Sequence, residues 1–158
     1  MDLCKRYWHR IFGYCYRLLQ DRFHAEDATQ NTFLKMLQAL DTLRHANTFQ
    51  CWLFTIARNE ALCYLRKRNN SEPSEEDSIW TSTTSFDEEY FRAETSEIVQ
   101  KYLSLLKPEY REVLILREYE QLSYAQIAVI TQISEANVKA RIHRARIELG
   151  KKLKPYYG

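Results

Sequence analysis

The chain has 158 residues, enough for one ordinary domain or two very small ones. With 45% hydrophobic and 13% aromatic residues it can bury real cores, which excludes wholesale disorder, while three glycines and three prolines disfavour a turn-rich β architecture. The formal charge of +2 hides a division: basic against acidic side chains number 11 to 6 in residues 1–68, 1 to 8 in 69–94 and 11 to 7 in 95–158. Two basic blocks flank an acidic middle, a pattern that points to polyanion binding at both ends.

In the first block Leu3, Tyr7, Ile11, Tyr14 and Leu18 recur at helical spacing and predict a first helix. A second helix is predicted to open at "HAEDATQ", where Glu26 and Asp27 suit the positive end of a helix dipole. It would carry Phe33, Leu34, Leu37 and Leu40 inward and leave Asp27, Gln30, Asn31, Lys35 and Gln38 outward. A third helix is expected from about Gln50 to Arg68, with Leu53, Ile56, Ala57 and Leu65 on its inner face and Trp52 in the core. The stretch "NNSEPSEEDSIWTSTTSFDEE" then reads as an acidic tether with Ile79, Trp80 and Phe86 as isolated apolar points.

The last block begins with a helix around Ser96 to Leu106, followed by one in which Pro108 sits where its missing N–H costs nothing. Ser123 and Ser134 are N-cap residues for two more. No β pattern competes, so the expected fold is all-α: two small helical domains, 1–68 and 95–158, joined by a flexible acidic linker, 69–94, the second domain being a helix-turn-helix.

On the final helix Val138, Ile142, Ala145 and Leu149 fall on one stripe, which would pack against Ile127, Ala128, Ile130 and Ile133. Asn137, Arg141 and Arg144 line one flank, Lys139 and Arg146 the other, with Ala136, Ala140 and His143 between them. Small or polar groups at the centre and cations on both sides suit a helix that enters the major groove and grips both phosphate walls. A merely solvated helix usually mixes signs, yet no acid occurs from Asn137 to Arg146. The turn "TQIS" has no glycine, and a positive φ at Gln132 would cost on the order of 1 kcal/mol.

Cys4, Cys15, Cys51 and Cys63 form no CxxC pair and read as buried free thiols, with no zinc-site spacing to the histidines. No apolar run approaches transmembrane length, and a reducing cytoplasm is the expected compartment. No Cys–His arrangement, carboxylate pair or phosphate loop has catalytic spacing, so neither an enzyme with a small-molecule substrate nor a cofactor is expected.

The ordered set "AEDATQNTFLKMLQAL", "TFQCWLFTIARNEALCYLRKR" and "LSYAQIAVITQISEANVKARIHRAR" resembles the extracytoplasmic-function, or group IV, sigma factors of bacterial RNA polymerase, over nearly the whole chain. The resemblance implies a non-catalytic subunit that binds core polymerase and directs promoter recognition, melting and initiation. The second helix would dock on the clamp helices of the largest polymerase subunit through Asp27, Gln30, Asn31 and Lys35, although relatives often carry an acid at the Asn31 position. The third helix and the loop before it would melt the minus-ten element, with Asn47, Thr48, Phe49 and Asn59 around a captured base and Arg58, Arg66, Lys67 and Arg68 on phosphates. Asn137, Lys139, Ala140, Arg141, His143 and Arg144 would read the minus-thirty-five element. An anti-sigma factor is a further expected partner. The alternative is a stand-alone helix-turn-helix regulator that never binds polymerase, for which the first block has no use.

Overall fold

In the computed structural model, residues 2–44, 48–70 and 97–157 are described. The segment containing Ile79, Trp80 and Phe86 lies outside them, as does Asn47. Every regular element among the described residues is helical. The first block comprises α1 (Asp2–Leu19), α2 (Arg22–Ala39) and α3 (Phe49–Asn70); the second comprises α4 (Glu97–Leu105), α5 (Pro108–Leu114), α6 (Tyr124–Thr131) and α7 (Glu135–Tyr157).

The reversal between α1 and α2 takes two residues. Gln20 ends α1 in the left-handed region at φ 61°. Asp21 caps α2 by accepting the His24 N–H at 2.9 Å. Helix α2 therefore begins earlier than the Glu26–Asp27 signal suggested.

Its buried stripe also differs from the expected one. Ala25, Ala28, Thr29, Thr32, Phe33 and Met36 are buried, whereas Leu34 and Leu37 are 58% and 56% exposed. Two threonines occupy the core because each hydroxyl donates back to the preceding turn, Thr29 to the Ala25 carbonyl at 2.6 Å and Thr32 to that of Ala28 at 2.7 Å. With its donor satisfied, threonine packs as a small branched side chain, and the apolar stripe turns away from both leucines. On α3 the inner face is Leu53, Phe54, Ala57 and Ala61, while Ile56, Leu65 and Trp52 are only partly buried.

Pro108 is the first residue of α5, and Ser123 closes a reciprocal capping box with Gln126 at the start of α6. Between them, α5 widens into a π turn over Ile115–Tyr119, marked by the Glu120 N–H donating to the Ile115 carbonyl at 3.2 Å. The two blocks pack against each other: α3 lies on α6, and α1 meets α4 and α5. Phe54 and Ala57 of the first block share one apolar cluster with Ile115, Ile127 and Val138 of the second.

Arg111 of α5 ties the frame together. Its buried guanidinium donates to the carbonyls of Leu103 at 2.8 Å, Ser104 at 3.3 Å and Leu106 at 3.0 Å, and reaches across to that of Leu18. These oxygens belong to the ends of α4 and α1, where backbone donors run short and the dipole favours a cation.

Candidate nucleic-acid interface and docking face

The C-terminal helix pair forms as its sequence suggests. Gln132 adopts φ 60° and ψ 36°, a left-handed C-cap reached without glycine, and its N–H donates to the Ala128 carbonyl at 2.9 Å. Ser134 then caps α7 by accepting the Asn137 N–H at 3.1 Å. Val138, Ile142 and Ala145 are buried, and Leu149 is half-buried. On the opposite side Ala136, Asn137, Lys139, His143 and Arg144 are exposed, with Ala140 and Arg141 at intermediate exposure. The cations are not equivalent. Arg146 pairs with Glu118 of the π turn at 2.6 Å, so the acid absent from the local sequence arrives from another element. Arg141 lines a cavity of about 430 Å³ between the blocks, with Arg58, Lys107 and Glu112.

Helix α3 divides its expected DNA residues. Thr48 and Asn59 are exposed, and so are Arg66, Lys67 and Arg68 at the helix tail. Lys67 lies 5.8 Å from the Tyr64 ring centroid, and Arg68 donates to the Leu19 carbonyl at 3.0 Å. Phe49 is instead 7% exposed, its ring edge-on to Tyr7 at 5.3 Å and tilted against Trp52 at 5.8 Å. Arg58 points into the second block, where its guanidinium donates to the Glu112 carboxylate. Burial pushes the Glu112 carboxyl up, while Arg58 and then Arg141 pull it back.

The outer face of α2 is a third surface. Gln30 is exposed and Asn31 is half-exposed beside Leu34 and Leu37, the two leucines expected in the core. Lys35 reaches Glu60 of α3, and Asp27 accepts a hydrogen bond from the Tyr64 hydroxyl. Two of the four expected docking residues therefore also hold α2 to α3. Two large exposed leucines beside uncharged amides are the part of this face that hydropathy alone assigned to the core. The back-bonded threonines were the available signal.

Of the four cysteines, all free, only Cys15 is buried; Cys4 and Cys51 are partly so and Cys63 is exposed. Burial pushes the Cys15 thiol up to about 12, which leaves it unreactive. No group of three His, Cys, Asp or Glu is placed to hold a metal ion among the described residues. No described helix is long and apolar enough to cross a membrane.

Comparison with known proteins gives the same order of parts. Residues 3–71 match the family described as Sigma-70 region 2, and residues 96–149 match Sigma-70, region 4. The chain is 35% identical to RNA polymerase sigma factor YlaC of Bacillus subtilis, covering 96% of this chain and 90% of that protein. It is 32% identical to RNA polymerase sigma-H factor of Pseudomonas aeruginosa, over 97% and 85% of the two chains. Among solved structures, it resembles the sigma factor RpoE of Bartonella quintana, solved in complex with the anti-sigma factor NepR, with a TM-score of 0.77 and 25% identity over 97% and 95% of the chains.

Proposed function

The chain belongs to the sigma-70 family, and we propose that it works as an extracytoplasmic-function sigma factor of group IV, binding core RNA polymerase and directing promoter recognition, melting and transcription initiation. It acts as an initiation factor in the cytoplasm, with no chemistry of its own. One observation carries this over a stand-alone regulator: the chain that holds the cation-faced α7 also presents Leu34 and Leu37 outward on α2, a second exposed face apart from α7. Exposed leucines beside polar groups suit a protein partner, since such residues give little to a polyanion.

In this reading residues 1–68 dock and melt, residues 69–94 link, and residues 95–158 read. Gln30 and Asn31, with Asp27 and Lys35 behind them, dock on the clamp helices of the polymerase largest subunit. Thr48, Asn59, Arg66, Lys67 and Arg68 meet the minus-ten element, joined by Asn47, Phe49 and Arg58. Asn137, Lys139, Ala140, Arg141, His143 and Arg144 meet the minus-thirty-five element. An anti-sigma factor is the expected regulator, as for the Bartonella relative. Size-exclusion chromatography with core RNA polymerase is expected to give a co-eluting complex. Strong promoter binding by the chain alone, with no co-elution, would favour the stand-alone regulator.

A further inference from the structure

Helix α7 is longer than the expected base contacts account for. The match to Sigma-70, region 4 ends at residue 149, whereas α7 runs on to Tyr157 and carries Gly150, Lys151, Lys152 and Lys154. Gly150, Lys151 and Lys154 are exposed, and Lys152 is half-buried. Two of these lysines continue the face assigned to DNA. Lys151 lies about two turns beyond Arg144, and Lys154 about three turns beyond His143, so each projects from nearly the same side of the helix as its counterpart. Among the described residues neither is paired with a carboxylate, in contrast to Arg146, which Glu118 holds. Glu148, the nearest acid in sequence, is spaced to meet Lys152 one turn on.

Gly150 adds an independent observation. A glycine inside a helix weakens it, because glycine loses more backbone freedom on folding than alanine does. The fold does not require one here: its φ is not positive, and a Cβ at this position would meet nothing within 4 Å. A helical glycine that neither backbone nor packing demands leaves room outside the helix, where another backbone can come close. Room beside two unpaired lysines suits a phosphodiester strand, which carries its negative charge on a bulky backbone.

We propose that Gly150, Lys151 and Lys154 extend the reading face of α7 into a phosphate clamp, gripping one strand of the duplex beside the bases read by the first turns. The inference rests on the reading of α7 as the helix that meets DNA. A recognition helix reads base edges with its N-terminal turns, and a straight helix soon outruns a groove about 12 Å wide. Lys151 and Lys154 lie about 21 and 26 Å along the axis from Asn137, so they fall at the groove wall rather than over the bases. A lysine ammonium is a point charge on a flexible stem, which neutralises phosphate without reading sequence. The extension therefore adds affinity and no base preference.

The test is the double variant Lys151→Gln/Lys154→Gln, with Arg144→Ala alongside, in anisotropy titrations of the whole chain on a labelled non-specific duplex over a range of salt. Both lysines are exposed, so the double variant should keep the parent's Tm. The clamp predicts a salt slope lower by about 1.8 and affinity lower by about tenfold near ~0.1 M salt, since each neutralised phosphate contributes about 0.9. Gly150→Leu leaves every charge in place and improves helix propensity, so it should raise Tm slightly while weakening DNA binding about threefold. An unchanged slope in the lysine variant, with the Arg144→Ala slope lowered, would overturn the clamp and leave α7 as the reader. Unchanged slopes in both would overturn the clamp together with the assignment of α7 to DNA. Binding by Gly150→Leu equal to or above the parent's would overturn the close approach of a strand at Gly150.

Discussion

Helices α3 and α7 are two long basic helices to which DNA contacts are assigned, and they deploy their cations differently. On α7, Lys139 and Arg144 stand exposed on the side opposite the buried stripe. On α3, Arg66, Lys67 and Arg68 are exposed at the tail, but Arg58, in the middle of the helix, is turned inward to Glu112. Both helices occur in blocks of net positive charge. The difference shows that charge count gives the sign of a partner, while the element packed alongside decides which charges are free to meet it. Glu112 and Glu118 both come from the segment around the π turn, and each engages a basic residue of a different helix.

The largest effect should follow from removing the frame that holds both helices. Arg111→Ala leaves carbonyls at the ends of α4 and α1 without their donor, and is expected to destabilise the fold by about 3 kcal/mol or more in a denaturant titration. Arg111→Lys should recover only part of that, because an ammonium cannot reproduce the planar fork.

Next in size is the docking face. Leu34→Asp with Leu37→Asp should leave thermal stability nearly unchanged, since both side chains are exposed, yet weaken core-polymerase binding by about 3 kcal/mol, roughly a hundredfold. A large loss of stability instead would return these leucines to the core.

This is also where the sequence was most misleading. The helix count, the two blocks, Pro108 at its helix start and both serine caps were legible, because capping and 3.6-residue periodicity are local properties. The buried stripe of α2 was not, because Thr29 and Thr32 satisfy their hydroxyls within the helix and so count as core. The face of α7 could be read from a wheel, since its stripe is wholly apolar. Arg58 could not be placed, because its partner is 54 residues away. Likewise the left-handed turn at Gln132 was foreseeable in position, and its φ of 60° fits the strain anticipated there.

The comparison of the two basic helices sharpens with single substitutions in the free protein. Arg144→Ala should weaken duplex DNA binding several-fold and lower the salt slope by about one unit if its guanidinium neutralises a phosphate. Arg58→Ala should leave affinity no lower than the parent's, since that guanidinium is already engaged by Glu112. Equal losses from both would erase the distinction drawn between α3 and α7. The smallest effect expected is a gain: Gln132→Gly relieves the left-handed conformation and should stabilise the helix pair by about 0.5 kcal/mol, read as a small rise in Tm.

The most direct measurement is mapping of transcript 5′ ends made from a genomic template by core RNA polymerase, with and without this protein. A sigma factor should produce a new set of start sites that share two upstream elements, and Leu34→Asp/Leu37→Asp should abolish them without unfolding the chain. Start sites identical to those of core polymerase alone, with the protein bound to DNA and absent from the polymerase, would contradict the assignment.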